Sequence, residues 1–224
     1  MFKIKDLFKE AKKASLRIKN ILILVVLFNI VSFFIGSLLI ALENPFAIQL
    51  RDWYYKEVLP TFETLYYIEE LLKSGNLFQA IIFTFLYNLF SGAFLSTTLP
   101  GIIPFIGVIF ISFAVIFRGL VIGIAYYETF VKTLESFNLF SILFIIVAIG
   151  TLFLEFGAYV FSASAGINIG LSIIFPKRYF TDNRFEAFKK SLKDALKIYI
   201  IVSILLFLGA IWEMTGIFLI FYSK

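Results

Sequence analysis

Hydrophobic and polar positions separate along this chain into long apolar blocks joined by short charged connections. Ile21 to Leu42 carries no charged residue, none falls between Lys73 and Arg118, and the block from Leu139 to Phe175 is interrupted by Glu155 alone. A bilayer core about 30 Å thick is crossed by roughly 20 apolar residues of α-helix. The pattern therefore predicts an all-α, polytopic transmembrane bundle of five spans, at about 21–42, 77–98, 104–127, 139–175 and 198–222. Pro100, Gly101 and Pro104 favour a sharp uncharged turn between the second and third spans, with a re-entrant segment as the alternative. As one straight helix, Leu139 to Phe175 would reach about 55 Å. It is expected to tilt, to kink near Gly150 or Gly157, or to protrude, and a split into two spans is the competing reading.

The connections carry helical periodicity of their own. Ile4, Leu7, Phe8, Ala11, Ser15 and Ile18 recur at helical spacing while Lys3, Lys5, Lys9, Lys12 and Lys13 fall elsewhere on the wheel, which describes a helix over 1–20 lying on a membrane surface. A cleaved signal peptide is the alternative, but the apolar run that follows is too long for one. Residues 181–197 repeat the pattern, with Phe185, Phe188, Leu192, Ala195 and Leu196 on one side and Lys189, Lys190, Lys193 and Lys197 largely on the other. In the connection 43–75, Pro60 is expected to open a helix over 61–73 that Gly75 ends. Trp53, Leu59, Phe62, Leu65, Tyr66 and Leu72 give that region an aromatic-rich side suited to the headgroup level; a small soluble cap is the alternative.

Composition narrows the class. At 61% hydrophobic and 19% aromatic residues, the chain has more apolar surface than a soluble domain of this size can bury, so lipid is its solvent. Cysteine and histidine are both absent, which removes disulfides, thiolate nucleophiles, imidazole bases and soft-metal ligands. The expectation is a non-enzymatic protein with no metal and no cofactor. A net charge of +5 could suggest nucleic acid, but seven of the 20 basic residues lie in 1–20 and seven more in 175–197. Flanking the spans as they do, the segments 1–20 and 177–197 point to anionic lipid headgroups and not to nucleic acid. Counting one span in 139–175 puts both basic segments on one side. The expected topology is thus a cytoplasmic N-terminus, an outside C-terminus and a single multi-pass domain, 1–224, in the cell membrane.

Three charged residues lie inside the apolar blocks: Arg118, Glu155 and Glu213. A charge at the bilayer centre costs at least about 2.5–3.5 kcal/mol, so such groups normally face the bundle interior and pair. Counting along the helices puts Arg118 about 14 Å and Glu213 about 16 Å from the outer ends of their spans, and Glu155 about 24 Å. An Arg118–Glu213 pair is expected, with Glu155 either a third member or a neutral acid donating a hydrogen bond to Asn88, Asn168 or a backbone carbonyl. These five residues form the candidate intramembrane polar cluster. A structural clamp and a transport or proton-relay role both remain open for it. Small residues supply a second signal: Ala158, Ser162, Gly166 and Gly170 recur every fourth position, and Gly119 with Gly123 makes a GxxxG beside Arg118. Such stripes let helices approach closely, either within the chain or across a homodimer seam.

The residues Asn88, Ser91 and Gly92 in YNLFSGAF, Arg118, Gly119 and Gly123 in FRGLVIG, Glu155 and Gly166 in LEFGAYVFSASAG, and Glu213 in IWEMTG resemble the stage II sporulation protein M family of polytopic membrane proteins. The likeness runs from the second span to the C-terminus. Where family members often carry Pro-His-Gly just before the matching glutamate, this chain has Gly150, Thr151 and Leu152. The resemblance implies a membrane protein that organises envelope partner proteins, as the family member does in a complex whose other subunits hydrolyse peptidoglycan. Two functions are carried forward: a homo-oligomeric scaffold or assembly subunit, a dimer being favoured, and a permease or channel subunit with Glu155 lining a polar cavity.

Overall fold

The computed structural model describes residues 4–58, 63–135 and 138–222. It is 92% helix with no strand among the described residues, and five helices are long and apolar enough to cross a membrane. Helix α1 (Ile4–Arg17) is followed by the apolar α2 (Lys19–Ala41). Glu43 then adopts a left-handed conformation (φ 51°). Asn44 caps α3 (Pro45–Trp53), its side-chain oxygen accepting from the Phe46 N–H at 3.0 Å, with Pro45 in the first turn where its missing donor does no harm. This helix was not anticipated. It continues as a wider π-helical turn, Tyr54–Val58.

Helix α4 (Glu63–Lys73) ends as expected at Gly75 (φ 78°). The Gly75 N–H donates to Leu72 O at 3.1 Å and the Asn76 N–H to Leu71 O at 2.8 Å, a Schellman cap that needs the left-handed residue glycine supplies most readily. Lys3, Leu59, Pro60, Thr61 and Phe62 of the expected surface helices lie outside the described residues. Helix α5 (Leu77–Tyr87) widens into π-helix over Asn88–Thr98 and tightens to a 3-10 turn at Leu99–Ile102, so the span runs past Thr98. Helix α6 is Ile106–Glu135. Helix α7 (Leu139–Ile174) is a single 36-residue element, which decides against two spans. Helix α8 (Arg184–Ile217) begins at Asn183, whose side chain accepts from the N–H groups of Phe185 and Glu186 at 2.9 and 3.1 Å. It runs without a break through what the charge pattern divides into a surface helix, 181–197, and a span from 198.

The chain forms two compact units, and each long helix contributes to both. The first comprises Met1–Leu27, Leu86–Val115 and Leu154–Leu206. There polar and small side chains share the interior with large apolar ones: Ser162, Ser164, Ser172 and Ser191 are fully buried, as are Ala158 and Ala165, beside Ile111, Ile169, Ile198 and Leu206, while Ile106 and Phe110 face outward. Buried hydroxyls beside exposed large apolar residues are what a lipid solvent permits, since packing and hydrogen bonds bring helices together there. On α1, Ala11 and Ala14 are buried while Leu7, Phe8 and Leu16 are exposed, so small apolar residues make the inner contacts of this helix and large ones face out.

The second unit comprises Phe28–Phe85, Ile116–Phe153 and Phe207–Lys224. Leu71, Leu72, Ala80 and Met214 form one core cluster and Ile40, Ala47 and Ile124 another. Gly119 and Gly123 lie against α2. A side chain on Gly119 would collide with the Ser32 hydroxyl and one on Gly123 with the Phe33 carbonyl, so the GxxxG serves a contact within the chain. Ser37 Oγ donates to Gly123 O at 3.0 Å across the same contact.

Candidate functional site

In the first unit, Asn88 stands at the point where α5 widens and Glu155 lies on α7. Asn88 Nδ2 donates to Glu155 Oε1 at 2.6 Å; the partner is one the sequence offered, but the glutamate accepts here where a neutral, donating acid was expected. The residues that follow on α7 are occupied by close packing. The Ser162 and Thr97 hydroxyls lie 2.8 Å apart, and Thr98 Oγ1 donates to Ser162 O at 3.0 Å and lies 2.7 Å from the Tyr199 hydroxyl. Gly101 and Gly166 touch backbone to backbone, and Gly170 lies against Val108 and Gly101. The stripe Ala158, Ser162, Gly166 and Gly170, offered by the sequence either as an internal contact or as a homodimer seam, is taken up within the chain.

Asn168 belongs elsewhere. It is 13 positions beyond Glu155 on the same helix, about 20 Å at the helical rise, and its amide donates to the Tyr179 hydroxyl at 2.7 Å. Tyr179 in turn donates to Asp194 Oδ2 at 3.1 Å, and Arg17 grips the same carboxylate, through Nε at 2.8 Å and through Nη2. Asn168 and Asp194 are both almost fully buried. Burial pushes the Tyr179 phenol up to about 12, so it stays a neutral donor at physiological pH. Bonding to Asp194 raises the Arg17 guanidinium further above its ordinary value. Sequence reasoning missed this network; its signal was one acid, Asp194, set among the lysines of KKSLKDALK.

Around the network opens a basic cavity of about 380 Å³, lined by Arg17, Arg178, Lys190, Lys193 and Lys197 with Tyr179, Phe180 and Asp194. Lys197 pairs with Glu10 at 2.8 Å and Lys190 with Glu186 at 2.7 Å. The Lys197 and Lys13 ammonium groups hold the Glu10 carboxyl down at about 2.

In the second unit, Glu213 on α8 borders a cavity of about 360 Å³ whose other walls include Tyr54, Tyr55, Tyr126, Thr129 and Thr151. Among the described residues Glu213 takes part in no salt bridge or hydrogen bond, so the pairing with Arg118 expected from depth does not hold it. Thr151 Oγ1, on the same cavity, is buried without a partner. The frame around it is firm: Trp212 Nε1 donates to Val147 O at 3.1 Å, and Gly150 and Gly216 lie against Trp212 and Val147. Arg118, half-buried beside Gly119, is not among the residues lining this cavity. The carboxylate that meets an open cavity within a unit is therefore Glu213, where the sequence pointed to Glu155. In comparison with known proteins, no family, no curated protein and no solved structure matches the chain.

Proposed function

We propose that the chain is a non-enzymatic, multi-pass protein of the cell membrane, similar to stage II sporulation protein M, that acts as a scaffold or assembly subunit for membrane or envelope partner proteins. The observation that carries this reading is the use made of buried and half-buried polar groups: Asn88 with Glu155, Thr97 and Thr98 with Ser162, and Ser172 with Ser191 all join one helix to another. Polar side chains so employed fix a shape and leave little for chemistry. The basic segments 1–20 and 177–197 belong to one unit and meet through Arg17–Asp194 and Lys197–Glu10, which supports a shared cytoplasmic side, a cytoplasmic N-terminus and anionic headgroups as neighbours. Because the small-residue stripe is occupied internally, any homo-oligomer uses other faces. Purification in mild detergent after cross-linking tests the reading: a defined protein neighbour in stoichiometric amount is expected, and a chain recovered with no cross-linked neighbour at native expression overturns it.

The cavity at Glu213 favours a second reading, a permease or channel subunit. An acidic group bordering a cavity, beside the unpartnered Thr151 hydroxyl, is how a cation pathway through lipid begins. Reconstituted vesicles would then leak protons or small cations in a manner abolished by Glu213→Gln, and identical flux in the variant removes this reading.

A further inference from the structure

We propose that the basic cavity where α8 begins is a binding site for the phosphate headgroup of an anionic phospholipid. The proposal rests on the reading of the basic segments as headgroup-facing and goes beyond it by naming a built site. Cations reach the cavity from three parts of the chain: Arg17 from α1, Arg178 from the turn after α7, and Lys190, Lys193 and Lys197 from α8. Arg17, Lys190 and Lys197 are neutralised by Asp194, Glu186 and Glu10. Among the described residues Arg178 and Lys193 are in no ion pair, so two uncompensated positive charges face an opening of about 380 Å³. A guanidinium and an ammonium converging on one space suit a phosphate, whose oxygens accept from both. The floor is fixed: Asp194 is gripped by Arg17 and Tyr179, and Tyr179 is held by Asn168.

The surroundings select a lipid over a soluble phosphate. Phe180, on the cavity wall, is 98% exposed. It is held in a left-handed conformation (φ 54°), with its N–H donating to Lys177 O at 3.0 Å. A non-glycine residue rarely adopts that conformation. Phe175 and Phe185, on either side in sequence, are exposed as well. The cavity also lies where α7's apolar run ends at Ile174 and α8's begins at Ile198, the level of headgroups with acyl chains alongside.

The test measures lipid retained by the full chain in detergent, by native mass spectrometry with phosphatidylglycerol, with phosphatidylcholine and with inorganic phosphate as probes. Phosphatidylglycerol is expected to be retained over phosphatidylcholine. Its affinity should fall at least about tenfold in Arg178→Gln/Lys193→Gln, as loss of charge-assisted hydrogen bonds implies. It should hold in Lys9→Gln/Lys12→Gln, which removes the same charge outside the cavity. If the first variant misfolds, Lys193→Glu alone must reproduce the loss. Equal loss in both double variants overturns the pocket while leaving the headgroup reading in place, and no preference for phosphatidylglycerol overturns both. Displacement of the lipid by millimolar inorganic phosphate also overturns the lipid assignment, whereas retention in its presence supports it. None of these outcomes bears on the scaffold role, which cross-linking tests separately.

Discussion

The two glutamates of the apolar spans have opposite surroundings. Glu155 accepts from Asn88 at the head of a stretch of α7 whose later residues pack against α5, α6 and α8. Glu213 borders an open cavity and makes no hydrogen bond among the described residues. The only two buried side-chain polar atoms without a partner among the described residues, Thr84 Oγ1 and Thr151 Oγ1, belong to the second unit, with Glu213. The same residue type thus serves in one unit as a fastener and in the other as an acid without a hydrogen bond at the edge of a cavity.

The contrast can be broken by volume. Gly166→Val places a side chain against the Thr97 carbonyl and Ile111 and should destabilise the chain by about 3 kcal/mol or more, read as loss of the monodisperse peak in detergent. Ala148→Leu, directed at the Glu213 cavity, should shift stability by less than about 1 kcal/mol, because the space is already there. Equal damage would show that both regions are packed alike. Next in size, Arg17→Met removes a bidentate partner from the buried Asp194 and should cost about 2 kcal/mol in thermal unfolding. That figure sits below the range for fully buried pairs because the arginine is about half exposed. Asp194→Asn added to Arg17→Met should recover part of the loss, and strict additivity would argue against a direct pair.

Smaller effects sharpen the comparison. Asn88→Ala should cost about 0.6–1.7 kcal/mol, the span measured for hydrogen bonds between helices in lipid; no measurable change would strip Glu155 of its role as fastener. Glu213→Gln should change stability by less than about 0.5 kcal/mol in the same assay, since it gives up no hydrogen bond. A loss as large as that of Asn88→Ala would mean that Glu213 too is structural.

The five spans were readable because an apolar run of the right length has few alternatives in lipid, and Gly75 was readable as a helix stop because its left-handed conformation is encoded locally. The small residues of α7 announced a close contact, although spacing alone left open whether the partner was another chain. Asn44-Pro45 was a legible start for α3 that the charge pattern of 43–75 obscured. Lysines on 181–197 suggested a separate surface helix, yet nothing in that stretch stops a helix, and α8 continues. The Arg17–Asp194 bridge joins residues 177 positions apart, and no local pattern reports such a distance. The Glu213 cavity is a space left by packing, which charge counting by depth does not address; that is why depth favoured a pair with Arg118.

The bridge also has a consequence in time. Arg17 on α1 is synthesised 177 positions ahead of Asp194 on α8. Throughout translation of the intervening chain the arginine has no Asp194 to engage, and α1, whose Ala11 and Ala14 are buried in the folded chain, lacks that anchor. Its anchoring to α8 is therefore a late event that records synthesis of that helix, and a chain stalled before α8 would display α1 without the Arg17–Asp194 and Glu10–Lys197 contacts, more open to proteases and quality-control factors than the longer chain.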